Sequence, residues 1–268
     1  MSTFTAKIYI INLARAPKRL EAIMGQLHES PFPVEYFAAV DGQTLSQEDY
    51  RRLTRKNRYY RPLTKNEVAC HLSHRRCLEK FTQDGVDFGI VLEDDAVLQP
   101  MFNTALPLLL EKRFRARNGT AAPDSWDVLK LADCDTRFWE TDAGQTTRSG
   151  QPRSVECRRV PALFLAQVWT PAAARGFLST YPLATRPVDI EIKYLWEHKL
   201  RVYNSLPNLV CASGAASTIG ARAPAHTASL RAWLYRGHFI LRSAAHTLRH
   251  HGLRRPGTMK TGPSASLA

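Results

Sequence analysis

The opening of the chain carries a β-α-β pattern, and this pattern restricts the chain to folds that contain parallel strands. Lys7–Leu13 is rich in β-branched and aromatic residues, which is typical of a buried strand. Pro17 suits the first turn of a helix, and apolar residues then recur at helical spacing up to Leu27. Val34–Val40 predicts a second strand. Because two strands joined by a helix run parallel and need both faces covered, we expect an α/β domain with a mixed, mostly parallel sheet flanked by helices. Further along the chain, Thr64 and Glu67 fit a capping box at the start of a helix, residues 133–160 predict a long polar connection, and Pro187–His198 predicts another helix.

A third predicted strand, Phe88–Leu92, is apolar and ends in three consecutive acids, Glu93, Asp94 and Asp95. Three carboxylates at the mouth of a buried strand repel one another, and desolvation adds to that cost. A divalent cation relieves the repulsion, since hard cations take oxygen ligands. If the cation also binds a diphosphate, the triplet marks a nucleotide or nucleotide-sugar site. The alternative is an acidic turn whose side chains are solvated.

The positive charge of the chain is concentrated near its end. The formal net charge is +13, and the residues after Glu197 include ten Lys and Arg and no acid. Within Ser229–His250 the large apolar residues share one helical face and much of the other is basic, which predicts a basic amphipathic helix. We expect this tail to bind an anionic membrane surface. The alternative is a helix packed on the domain with a solvated basic face.

Three features predict a cytoplasmic protein. The N-terminal residues are polar and do not resemble a signal peptide, no apolar stretch approaches the length of a membrane span, and the five cysteines are widely spaced. We divide the chain into a globular domain over residues 1–221, a helical tail over residues 222–256 and a disordered C-terminus over residues 257–268.

Seven short segments, taken in order, resemble glycosyltransferase family 25, which includes bacterial lipooligosaccharide galactosyltransferases and procollagen galactosyltransferases. Among them are Tyr9-Ile-Ile-Asn-Leu with Arg15 and Arg19 after it, Glu67-Val-Ala-Cys-His-Leu-Ser-His74 and Ile90-Val-Leu-Glu-Asp-Asp-Ala-Val97. The segments comprise residues 9–13, 39–42, 63–74, 90–97, 126–131, 187–189 and 217–219.

This resemblance implies a GT-A fold with a nucleotide-sugar donor bound at the ends of strands. It implies that Asp95, with Glu93, holds Mn²⁺ or Mg²⁺ against the donor diphosphate. Glu93 and Asp94 also become candidates for the donor ribose. The remaining donor-binding candidates are polar residues near strand ends and in loops: Asn12, Arg19, Asp41, His74, Lys130 and Ser217.

Transfer in the family is inverting, so a base must take the proton of the acceptor hydroxyl. Asp189 is the first candidate for this base and Glu191 the second. The alternative for both is a structural role, because acids in the first turn of a helix complement its dipole.

The resemblance and the basic tail together predict a metal-dependent transferase at the cytoplasmic face of the bacterial inner membrane. Galactose from UDP-galactose is the expected sugar, and a lipopolysaccharide or lipooligosaccharide glycan is the expected acceptor. One alternative is a non-catalytic module that binds polyanions or membranes, which leaves the acid triplet without a role. Another is transfer to hydroxylysine in a collagen-like protein. We expect no nucleic-acid partner.

Overall fold

The computed structural model describes residues 4–116, 125–132, 137–139, 151–214, 229–251 and 256–258. The strands are β1 (Ala6–Asn12), β2 (Val34–Ala38), β3 (Phe88–Glu93), β4 (Ala96–Leu98), β5 (Val128–Lys130), β6 (Arg137–Trp139), β7 (Arg153–Arg159), β8 (Ala166–Trp169), β9 (Val202–Leu206), β10 (Val210–Ala212) and β11 (Pro256–Thr258). The helices are α1 (Pro17–Gln26), α2 (Gln47–Thr54), α3 (Lys65–Asp84), α4 (Phe102–Ala116), α5 (Pro171–Thr180), α6 (Val188–Glu191), α7 (Leu195–His198) and α8 (Leu230–His251).

The strands form one mixed sheet with the order β11-β6-β7-β9-β5-β8-β3-β1-β2, and β4 pairs separately with β10. Strand β1 runs parallel to both β2 and β3, and β5 runs parallel to β9. Strand β8 is antiparallel to β3 and β5, and β7 is antiparallel to β9. Five of the seven strands from β7 to β2 therefore point the same way, which agrees with the predicted mixed, mostly parallel sheet.

Alternate residues of the central strands pack into two separate cores, one on each face of the sheet. Ile8 and Ile10 of β1 join the core beneath α1 and α4, whereas Tyr9 and Ile11 join the core beneath α3 and α5. The strand period of two explains this division, because successive side chains point to opposite faces. Helices thus cover both faces of the sheet, as the β-α-β pattern requires.

Two local predictions are confirmed in detail. Strands β1 and β2 are parallel, with Ile8 opposite Val34. Helix α3 begins with a capping box in which the Thr64 hydroxyl accepts from Glu67 N at 3.1 Å and Glu67 accepts from Thr64 N at 2.8 Å. The helix ends at Gly85, whose φ of 70° is a left-handed conformation that glycine adopts without strain.

Two expectations about the C-terminal half are wrong. Residues 187–198 were expected to form one helix, but they form α6 and α7, separated at Tyr194, whose ψ of 61° is not helical. This break places the Tyr194 ring 3.6 Å from the Arg186 guanidinium. The polar stretch over residues 133–160 was expected to be a loop, but it includes β7, which pairs with β9.

His198 makes the stability of the fold depend on pH. Burial lowers its pKa to about 4. Its Nδ1 accepts from Leu200 N at 3.1 Å while Nε2 donates to Ile192 O at 3.0 Å, so a second ring proton would have no acceptor. Because the unfolded chain binds this proton below about pH 6.5, stability should fall as pH drops from about 6.5 to about 4, by about 3 kcal/mol in total.

Urea unfolding at about pH 7.5 and about pH 5 measures this effect. We expect His198→Gln to lose less stability than the wild-type protein across that interval. An equal loss in the two proteins would contradict the assignment to His198.

Candidate functional site

An open pocket lies where the parallel strands β1, β2 and β3 end. The space between its walls, open solvent included, is about 670 Å³. Ligands of α/β sheets bind beyond the carboxyl ends of strands, and this pocket has that position. Its lining comes from the end of β1, the start of α1, the turn after β2, one face of α3 and the acid triplet, and includes Arg15, Arg19, Asp41, Gly42, Asn66, Cys70, Ser73, His74, Glu93, Asp94 and Asp95.

The first two acids of the triplet are each held by a neighbour. Glu93 Oε1 lies 2.9 Å from His74 Nε2, and His74 is buried on α3. Asp94 accepts from Asn12 Nδ2 at 2.6 Å and forms an ion pair with Arg19, whose Nη2 lies 2.8 Å away. His74 therefore orients a carboxylate, one of the two roles considered for it. Asn12 is 1% exposed and does not line the pocket, so it positions Asp94 and does not reach a donor.

Burial raises the pKa of both of these carboxyl groups. For Glu93 the hydrogen bond and charge of His74 oppose the rise, and the charges of Asp95 and Asp94 add to it. For Asp94 the Asn12 hydrogen bond and the Arg19 charge oppose it, and the Asp95 charge adds to it. A bound cation would favour the ionised forms of all three acids. The triplet is therefore costly in the free protein, as its sequence predicts.

Asp95 has the least satisfied carboxylate of the three. Its Oδ2 lies 3.4 Å from Arg19 Nη2, and its Oδ1 is a buried atom with no hydrogen-bond partner among the described residues. A buried, unpartnered carboxylate oxygen in a run of three acids is a good ligand for a hard divalent cation. The residues present therefore fit Mn²⁺ or Mg²⁺, with Asp95 as the principal ligand and Glu93 beside it.

Cys70 lies next to the triplet on the face of α3. Its sulfur, a His74 ring nitrogen and a Glu93 oxygen lie within 4.8 Å of one another. Burial raises the pKa of the Cys70 thiol well above its usual range, and the charges of Glu93, Asp189 and other acids raise it further. The thiol is therefore protonated, and the oxygens of the triplet remain the better ligands for Mn²⁺ or Mg²⁺.

The opposite wall of the pocket is the turn Asp41-Gly42. Asp41 accepts from Arg15 Nε at 2.7 Å and from Gln43 N at 2.9 Å, and the Gln43 hydrogen bond, then Arg15, lowers its pKa. A Cβ at Gly42 would lie 2.9 Å from the backbone of Asn66, so only glycine allows the turn to approach α3 this closely. Asp41 thus lines the pocket, as expected of a donor-binding residue.

Helix α3 contributes four polar residues to the pocket wall, most of which were not predicted from the sequence. Asn66, Cys70, Ser73 and His74 all line the pocket, and of these only His74 was a candidate. Ser73 also accepts from Val40 N at 2.9 Å, which ties the turn after β2 to the helix. The spacing of these residues, at intervals of four, three and one, places them on one helical face, and that spacing was the available signal.

The structure contradicts the catalytic assignment of Glu191. Its side chain is fully buried, and one carboxylate oxygen accepts from Thr185 N, Thr185 Oγ1 and Arg186 N at 2.9, 2.8 and 3.1 Å. The other oxygen lies 3.0 Å from His71 Nε2. A base must reach the acceptor hydroxyl, whereas Glu191 is enclosed and joins α3 to the segment before α6.

Asp189 has a different environment from Glu191. It is half-buried, and its charge acts on the thiol of Cys70, a residue of the pocket wall. Its charge also acts on Lys193, whose pKa is lowered by burial and by Arg159 and is raised by Asp189. Asp189 therefore lies near the pocket without lining it, and it remains the better candidate for the base.

Lys130 does not reach the pocket. It is fully buried at the end of β5, an interior strand, and Nζ donates to the carbonyls of Pro161, at 2.8 Å, and Leu163. The expectation that it contacts a phosphate or the acceptor is therefore wrong, because both faces of the sheet are covered at this position. Ser217 lies outside the described residues.

The residues that line the pocket lie within a segment that matches a known protein family. Residues 5–133, which include nearly the whole pocket wall, match the family described as glycosyltransferase family 25 (LPS biosynthesis protein). This match confirms the resemblance to family 25. Asn12, Arg19, Asp41, His74 and the acid triplet all lie within the matched segment.

Individual family 25 proteins match with moderate identity. A glycosyltransferase 25 family member from Aedes aegypti is 35% identical over 129 residues, covering 46% of this chain and 20% of that protein. Procollagen galactosyltransferase 1 of Danio rerio is 30% identical over 113 residues, covering 40% and 19%. The human protein named inactive glycosyltransferase 25 family member 3 is 30% identical over 191 residues, covering 68% and 30%.

The chain spans about a fifth of the length of the Aedes and Danio relatives. Among solved structures, the crystal structure of A197 from STIV is similar with a TM-score of 0.37 and 11% identity, over 83% of this chain and 99% of that chain. A likeness at that level supports no argument about function. The family relationship therefore supports a glycosyltransferase, and it includes relatives whose names describe them as inactive.

Proposed function

We propose that this protein is an active, metal-dependent, inverting glycosyltransferase of the GT-A type that transfers galactose from UDP-galactose. The observation that carries the proposal is the buried, unpartnered Asp95 oxygen in a pocket at the ends of three parallel strands. Bound Mn²⁺ or Mg²⁺ would supply Lewis-acid stabilisation of the charge that develops on the leaving diphosphate.

Different residues around the pocket bind different parts of the donor. Arg19 uses Nη2 to hold Asp94, while its Nε and Nη1 are buried without hydrogen-bond partners among the described residues. These two N–H groups are available for a diphosphate, to which guanidinium binds well. Asp41 and Arg15 form the wall opposite the triplet, and we assign uracil or ribose recognition to Asp41.

Asp189 is the proposed base in the transfer step. The acceptor hydroxyl must lose a proton as its oxygen attacks the anomeric carbon from the face opposite the diphosphate, and the Asp189 carboxylate takes that proton. Asn12, His74 and Glu191 act as positioning residues, since Asn12 and His74 hold the acids and Glu191 holds the segment before α6 against α3.

The acceptor that we propose is a lipopolysaccharide or lipooligosaccharide glycan at the cytoplasmic face of a bacterial inner membrane, with the basic tail on anionic lipid. The description of the matching family as LPS biosynthesis protein and the basic C-terminal quarter of the chain favour this acceptor. Hydroxylysine in a collagen-like protein is the second candidate, supported by the name of the Danio relative.

A donor screen tests the proposed activity. Nucleotide release from a panel of UDP-sugars should be largest for UDP-galactose, should require Mn²⁺ or Mg²⁺, and should stop when a chelator is added. A lipooligosaccharide core and a hydroxylysine peptide are then added as acceptors in separate reactions. Nucleotide release should increase with only one of the two. Absence of release from every donor in the presence of metal would overturn the proposal.

A further inference from the structure

Helix α8 is attached to the domain through a narrow aromatic clamp. Ala232 is fully buried, and the Tyr235 ring lies 5.4 Å from the ring of Tyr59. One turn further, the Phe239 ring lies 5.2 Å from that of Tyr194 and 5.4 Å from that of Trp196. Spacings of three and four residues place these contacts along a single face of the helix.

The opposite face of α8 is apolar and exposed. Six large apolar side chains on it are between 54 and 72% exposed. Only three other large apolar side chains in the described residues are as much as 40% exposed. At 3.6 residues per turn their positions fall within about a third of the helix circumference, so they form one stripe along the helix. The outward stripe consists of Leu230, Trp233, Leu234, Ile240, Leu241 and Leu248.

Basic residues border the outward stripe. Arg231, Arg242 and Arg249 lie along one side and Arg236 lies on the other, and all four are exposed. No acidic residue occurs in α8 or anywhere after Glu197. An exposed apolar stripe between rows of arginines is the composition of a helix that lies in the interface of an anionic membrane.

We propose that the outward stripe of α8 docks on a bilayer with anionic headgroups, with the helix lying in the plane of the interface. This inference rests on the proposed function only for the identity of the acceptor. No described helix has the length and apolar character needed to cross a membrane. The arrangement differs from both expectations for the tail, because α8 packs on the domain and still presents its apolar face outward.

Charge favours a membrane over the other partners that the stripe fits. If two copies of the chain paired through it, the arginine rows of both helices would meet without any acid in either helix to neutralise them. A nucleic acid would neutralise the arginines but would leave the leucines uncovered. Anionic lipid satisfies both the apolar and the basic parts of the surface.

Because the aromatic clamp holds α8 against the domain, a docked α8 also fixes the orientation of the domain. Tyr194 and Trp196 lie in the same short segment as Asp189, and Arg186 stacks on the Tyr194 ring. A helix held by these rings fixes the domain relative to the membrane plane, unlike a helix on a loose tether. Docking therefore holds the domain in one orientation at the membrane surface where a lipid-linked acceptor lies.

Vesicle sedimentation with the full chain tests the proposal. The double variant Leu234→Glu/Leu241→Glu changes only outward, exposed positions, so we expect its melting temperature to equal that of the wild-type protein. Its partitioning onto phosphatidylcholine vesicles that contain phosphatidylglycerol should fall at least about tenfold. Two leucines that the bilayer would bury are replaced by negative charges that anionic lipid repels. Leu108→Glu on α4, which is 48% exposed, is the matched control and should bind like the wild-type protein.

Neutral phosphatidylcholine vesicles should bind the wild-type protein less than anionic vesicles. Equal sedimentation of the folded double variant and the wild-type protein would overturn the proposal. So would a wild-type dimer that the double variant converts to a monomer while vesicles bind neither protein. Release of nucleotide from UDP-galactose, measured with a soluble acceptor, should be equal in the double variant and the wild-type protein, and its absence in both would contradict the proposed function alone.

Discussion

Asp95→Asn is expected to lower kcat/KM for UDP-galactose by about a thousandfold or more, because a metal ligand at the leaving diphosphate contributes several kcal/mol to the transition state. The substitution should not unfold the protein. Asp95 Oδ1 makes no hydrogen bond among the described residues, and an amide removes one of three consecutive negative charges. We therefore expect a melting temperature equal to or above that of the wild-type protein.

Calorimetry or thermal shift provides a readout that does not depend on turnover. Mn²⁺ added with UDP should raise the melting temperature of the wild-type protein and leave that of Asp95→Asn unchanged. Asp49→Asn, at a half-buried carboxylate on α2 that does not line the pocket, is the control and should show wild-type activity and the same shift on adding Mn²⁺ with UDP. A folded Asp95→Asn protein with full activity would show that the metal assignment is wrong.

Asp189 and Glu191, two residues apart, should respond to substitution in opposite ways. Asp189→Asn should lower kcat by about 10² to 10⁴ with little effect on folding, since it removes the proposed base. Glu191→Ala should destabilise the protein by about 3–5 kcal/mol, because four buried donor contacts from His71, Thr185 and Arg186 lose their acceptor.

Glu191→Gln separates the two roles. The amide oxygen still accepts from Thr185 and Arg186, so this variant should fold and keep a kcat close to that of the wild-type protein. Urea unfolding and kcat measured on the same preparations complete the comparison. If Glu191→Gln folds but has no activity, or if Asp189→Asn is fully active, the assignment of the base is reversed.

Local signals predicted the elements that position the pocket. The β-α-β opening, the Thr64 capping box and the acid triplet each depend on residues that are close together in the chain. The sequence alone therefore predicts them. Burial of Lys130 and Glu191 depends on which strands and helices come to cover them, and that is set by contacts distant in the chain. The choice of face by which α8 attaches depends in the same way on the rings of Tyr59 and Tyr194.

The bridge that Arg19 makes to Asp94 and Asp95 has a consequence for the order of events at the pocket. In the free protein this guanidinium already supplies part of the positive charge that the triplet needs. A metal ion that binds without the donor must compete with the Arg19 guanidinium for the carboxylates. Its apparent affinity is therefore reduced by the fraction of molecules in which Arg19 stays bound to them. A diphosphate attracts Arg19 toward itself and so vacates the carboxylates. Metal and donor should therefore bind cooperatively, and each should tighten the binding of the other by the same factor.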